Sequence, residues 1–232
     1  MSRLALLQDL LRLVGSAAVL AAAAAEPLFA APVGAALFLA AFGFNHDAMH
    51  GALSLSRRGR DLALLGAGSV MLMSGHAVRV MHLLHHRRPM SDEDLEGAAA
   101  KRSLLGAVLD SPRLSLAYRV AGWRRASRAE RRWQLIEYGL DAAILAGLLA
   151  SGLPGLQLYA LVALLLQAFM PAWAGHVPHR APAWLLGIAR RLAFSRSLVV
   201  LSLAYHELHH LHPAVPCRDL ARVAAQNSPA SG

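Results

Sequence analysis

The basic residues of this chain are segregated. All 23 lysines and arginines lie at Arg3 and Arg12, between Arg57 and Arg132, or from Arg180 onward; none falls within 13–56 or 133–179. Each gap is long enough for two helices of about 20 residues, the length that crosses a bilayer core. Each also carries a turn signal near its middle: Pro27 and Pro32 in the first, Pro154 and Gly155 in the second. Read as two helical hairpins, the gaps leave every basic segment on one side, and the bias of lysine and arginine makes that side the cytoplasm. With 56% hydrophobic against 16% charged residues, the chain is too apolar for an ordinary soluble domain. The expected fold class is an all-α integral membrane protein with four transmembrane helices in two hairpins, one domain over 1–222 and a disordered tail over 223–232.

Residues 4–25 have two readings. A basic start, an apolar middle and a closing alanine run fit a secretory signal peptide, and they also fit a first spanning helix returned by a second over 28–44. The charge map favours the span. The second hairpin comprises 135–150 and 156–175, with Trp133, Tyr138 and Trp173 expected at the cytoplasmic interface and Tyr159 at the outer one. Residues 62–81 are rich in Gly and Ser and lie between two basic segments, so they are expected as a re-entrant or interfacial helix rather than a crossing. The arginine-rich stretch 91–132 reads as a cytoplasmic loop with an amphipathic helix on the headgroups, and 183–204 as a further interfacial segment. A net charge of +9 without a nucleic-acid module points to phospholipid as the anionic partner and not to nucleic acid. The arginine-heavy basic set suggests a bacterial source, hence the inner membrane.

Histidine carries the chemistry. In Tyr205-His206-Glu207-Leu208-His209-His210-Leu211-His212-Pro213, a helix would set His206, His209 and His210 on one face at i, i+3 and i+4. The same spacing recurs at His82, His85 and His86, and a shorter pair stands at His46 and His50. These are eight of the 12 histidines, all at the cytoplasmic ends of apolar segments. Imidazole binds iron, zinc, copper and nickel in its neutral form, and ionisable groups at membrane depth are functional by default. With one cysteine, Cys217, there is no disulfide and no thiol cluster, so histidine and carboxylate must hold any metal. Eight ligands exceed the needs of one catalytic ion and imply two. A zinc hydrolase would show a His-Glu-x-x-His helix, which is absent, and a metal transporter would bury its ligands at the midplane.

The groups His46-Asp47-Ala48-Met49-His50-Gly51, His82-Leu83-Leu84-His85-His86 and His206-Glu207-Leu208-His209-His210 resemble the three histidine boxes of the membrane fatty-acid desaturase and hydroxylase superfamily. The form of the first box, and Pro178-His179-Arg180 ahead of the last, are most similar to bacterial β-carotene ketolases. The resemblance implies a non-haem di-iron centre that uses O2 and electrons from a ferredoxin or reductase to attack an unactivated C–H bond of a lipophilic substrate. It carries over His46, His50, His82, His85, His86, His206, His209 and His210 as ligands and adds His179, with His176 as a supporting partner or alternative ligand. Asp47, Asp92, Asp94, Glu207 and His212 are the expected hydrogen-bond partners that orient ligand imidazoles. His76 is expected to be structural; Met49, Phe169 and Met170 are candidates for the wall of a substrate pocket, with core packing the stronger expectation for each. The last box departs from the ketolase form, since Leu208 separates Glu207 from the paired histidines. Carotenoid oxygenation and acyl-lipid desaturation or hydroxylation therefore both stand as expectations.

Overall fold

The computed structural model describes residues 3–227, whose regular structure is all helical, with no strand among them. The helices run α1 Arg3–Ala22, α2 Pro27–Met49, α3 Arg57–Met71, α4 Gly75–Arg87, α5 Leu104–Arg125, α6 Arg128–Ala150, α7 Pro154–Ala168, α8 Val177–Arg180, α9 Ala183–Arg191, α10 Leu198–Ala204, α11 His206–Leu211 and α12 Leu220–Asn227. A π-helical stretch, Pro171–His176, joins α7 to α8.

Helix α2 is the centre of the bundle, in contact with α1, α3, α4, α7 and α10. Pro27 sits in its first turn, where a missing N–H forfeits no helical bond. Every residue from Gly43 to Met49 is buried, so the end that carries His46 is enclosed on all sides. Gly43 makes this possible, because a Cβ there would collide with Cβ of Leu198 on α10. Helix α1 packs into the bundle, with Leu20 in a cluster with Ala30, Leu37 and Tyr159.

Among the described residues, two helices, α2 and α6, are long and apolar enough to cross a membrane; two bent pairs, α3 with α4 and α7 with Pro171–Arg180, bring the number to four if each is one span. Leu28, Phe29, Leu135, Ile136, Leu149, Leu161 and Leu165 all point outward, an apolar exterior that hydrocarbon can cover.

The structure revises several expectations. Residues 62–81 are not one helix: α3 and α4 meet at 106°. Leu72, in the left-handed region at φ +55°, ends α3, and Ser74 starts α4 by accepting from the Ala77 N–H at 3.0 Å. Gly75 lets the arms touch, since a Cβ there would lie 2.5 Å from the Leu64 carbonyl oxygen. The fourth expected span is bent by 50° after α7, where Pro171 lacks the N–H that would continue the ladder. Tyr159, expected at an interface, is buried and donates its hydroxyl to the Val70 carbonyl. The tail expected to be disordered from 223 is helical through Asn227 in α12, and its remainder, 228–232, lies outside the described residues. His76 is structural as expected: its Nδ1 donates to Glu137 Oε1 at 2.7 Å and its ring stacks on Trp133, which ties α4 to α6.

Candidate metal centre

Four helix ends converge. The C-terminus of α2 brings His46 and His50, the last turns of α4 bring His82, His85 and His86, α8 brings His179, and α11 brings His206, His209 and His210. The i, i+3, i+4 spacing works as the sequence suggests, but each triplet splits between two groups rather than closing on one point.

In the first group, ligand nitrogens of His46, His50, His82 and His209 all lie within 4.8 Å of one another. His50 Nε2 stands 2.8 Å from His82 Nε2, and His86 Nε2 stands 3.1 Å from His209 Nε2. In the second, His85, His179 and His210 meet the same limit. His206 closes it into a ring of Nε2 atoms: His85 to His179 at 3.2 Å, His179 to His206 at 3.1 Å, His206 to His210 at 3.2 Å and His210 to His85 at 3.3 Å. Nitrogens bound at about 2.0–2.1 Å to one ion are separated by roughly 3.0–3.4 Å between right-angled and tetrahedral arrangements, and these edges are of that length.

The outer hydrogen bonds set the tautomers. His85 Nδ1 donates to Asp94 Oδ2 at 2.8 Å, and His82 Nδ1 donates to Glu96 Oε1 at 2.9 Å, which leaves each Nε2 with a lone pair directed inward. Burial, followed by the neighbouring His179 and His210 imidazoles, holds His206 down to about 2; burial and then His85 and His179 hold His210 down to about 4. Both are neutral at physiological pH, the form that binds metal. Burial alone would raise Asp94, but hydrogen bonds from His85 and from the Gly97 and Met90 N–H groups outweigh it and keep the carboxyl below its usual range.

The expected orienting partners divide. Asp94 holds a ligand-site imidazole. Asp47 lies 3.7 Å from His46 Nδ1 and accepts from the Cys217 N–H at 3.2 Å, while Cys217 Sγ is 3.5 Å from the same Nδ1. The other three do not take that position: Asp92 is fully exposed beside Lys101, and Glu207 and His212 are exposed on the outer side of the last cluster, where a short helix turns them away from its ligand face. His176 belongs to neither group; its Nδ1 donates to the Ala99 carbonyl at 3.0 Å and fastens the loop that carries the carboxylates. Arg180 Nε donates to the Ala100 carbonyl at 2.8 Å in the same loop, and Gly175 admits it, since a Cβ there would lie 2.6 Å from the Glu96 carbonyl oxygen. Glu96 is the functional residue that sequence reasoning missed. It follows the acidic run 92–94 by two positions, and only the path of the loop brings it to His82. Tyr118 on α5 donates its hydroxyl to Glu96 Oε2 at 3.2 Å.

Beside His82 lies a narrow apolar cavity walled by Phe42, Met49, Val78, Leu95, Tyr118 and Met170. Of the three candidate wall residues, Met49 and Met170 line it and Phe169 does not.

Residues 19–232 match the family model described as fatty acid desaturase. No curated protein and no solved structure matches the chain.

Proposed function

We propose that this chain, which belongs to the fatty acid desaturase family, is a membrane oxidoreductase that oxidises a C–H bond of a carotenoid or related isoprenoid. The family is one of di-iron oxygenases and desaturases, which makes the chain an oxidoreductase acting on lipid. The observation that carries the oxidation chemistry is the convergence of the histidines into two groups. One iron would be held by His46, His50, His82 and His209, with His86 beside His209, and the other by His85, His179, His206 and His210. When bound, such a pair supplies O2-dependent oxidation with electrons from a ferredoxin or reductase.

What the chain itself contributes is position and exclusion. Asp94 and Glu96 hold His85 and His82 with their lone pairs inward. Neutral imidazoles leave the charge of bound irons uncompensated, which favours a strong oxidant. The walls beside His82 are apolar, so a hydrocarbon segment displaces water from the reacting position. The first box and the position of His179 support the isoprenoid substrate, with ketone or hydroxyl formation at a ring methylene. The family description supports a second reading, desaturation or hydroxylation of an acyl lipid. We place the histidine ends on the cytoplasmic side of a bacterial inner membrane, from the segregation of basic residues, and treat 1–222 as one domain.

The test is expression in cells that accumulate β-carotene, beside the double variant His209→Ala, His210→Ala, with extracted pigments and lipids resolved by chromatography and mass detection. The reading expects a carotenoid gaining oxygen only with the intact chain. A fatty acid gaining a double bond or hydroxyl would favour the acyl-lipid reading, and equal products from intact and variant chains would contradict both.

A further inference from the structure

A second cavity, of about 210 Å3, adjoins the narrow one between α4, α5, α6 and α7. Val78, Tyr118 and Met170 line both, so these three side chains stand between them. At 1.5 Å per residue, Asp141 in its wall lies about 20 Å along α6 from Arg128, at membrane depth.

Several polar groups in the wall are satisfied. Ser115 donates to the Gln167 carbonyl at 2.9 Å, the Gln167 amide donates to the Met71 carbonyl at 2.8 Å, and Arg119 donates to the Gln167 side-chain oxygen. Asp141 differs. It is 8% exposed, and neither carboxyl oxygen has a hydrogen-bond partner among the described residues. A carboxyl group at membrane depth, facing an open volume, is an acceptor built for something that enters. The wall is mostly apolar and Arg119 already brings one cation to it, so a neutral hydrogen-bond donor fits better than an ammonium group. The volume, several times the roughly 30 Å3 of one water, has room for a hydroxyl with several carbons. Proton delivery does not require this route, because the side chain of Glu96 beside His82 is itself 16% exposed.

We infer that this cavity is a subsite for the hydroxyl-bearing end of a lipophilic alcohol, with Asp141 accepting the hydroxyl hydrogen bond. The carbon chain runs past Val78, Tyr118 and Met170 to the cavity beside His82. The substrates it favours are then isoprenoid or long-chain alcohols over the corresponding hydrocarbons, and the reaction that supplies them is one that leaves a free hydroxyl. This inference rests on the reading of the histidine centre as the place of reaction.

The test uses the full chain in lipid nanodiscs, with retinol and retinyl methyl ether as fluorescent probes that differ in one donor. The wild type is expected to bind retinol about tenfold more tightly than the ether, the worth of one hydrogen bond to a carboxyl group. Asp141→Leu is expected to abolish that preference and leave affinity for the ether unchanged, while Asp141→Asn, which keeps an acceptor, retains part of it. Equal affinities for both probes in the wild type would overturn the inference, as would a preference that survives in Asp141→Leu. The same preparations are assayed for bound iron. Failure of the oxidase reading appears as no iron in a protein that still prefers the alcohol, whereas failure of the subsite appears as no preference in a protein that holds iron.

Discussion

At the scale of single residues, the proposed metal centre rests on carboxylates outside the two histidine groups, Glu96 on His82 and Asp94 on His85. Removing such a partner from a ligand imidazole typically costs 10–100-fold in metal affinity. Glu96→Ala is therefore expected to weaken iron binding by about that factor through His82, read by competition with a coloured chelator. Asp92→Asn should leave it unchanged, because Asp92 pairs with Lys101 at the surface; equal losses in the two variants would contradict the assignment. The histidines were legible in the sequence because i, i+3, i+4 spacing is a local property of one helix. Glu96 was not, because its contact with His82 depends on a loop fastened from elsewhere by Gly175, His176 and Arg180. The split of each triplet between two shells was also hidden, since it depends on how α4 and α11 face each other.

At the scale of elements, close helix contacts fix the ligand-bearing ends. Gly43→Val puts a branched side chain into Leu198 on α10, the helix that leads directly into α11 and its three histidines. Overpacking of this kind costs about 1–3 kcal/mol, and the variant should show a lower melting temperature together with loss of iron. Gly147→Ala on α6, where an added Cβ meets nothing within 4 Å, should melt at or slightly above the wild type, because alanine is the better helix former. The α3–α4 break was half legible. Ser74-Gly75 carries a helix-start signal that the length of the apolar run concealed, but nothing in the sequence marks Leu72 as left-handed. The bend at Pro171 was signalled by the proline itself, and the apolar run around it suggested a continuous span.

At the scale of the whole molecule, the two-hairpin reading captured α2 and α6 as spans and the gathering of histidines at one end of the bundle, while it missed both bent pairs. Metal at the meeting point of α2, α4, α8 and α11 should stabilise the entire bundle, since an unfolded chain presents no such site. Free iron at a thousand times its dissociation constant would contribute about 4 kcal/mol. Chelation should accordingly lower the melting temperature, and restoring ferrous iron should recover it; a melting temperature indifferent to chelation would mean that the histidines hold no ion. The most direct measurement is the iron content of the full chain after anaerobic reconstitution with ferrous iron and removal of excess, beside His85→Ala, His210→Ala. Two irons per chain, falling to one in the variant, are the expected result. One iron or none in the wild type, or two in both proteins, would contradict a pair of histidine shells.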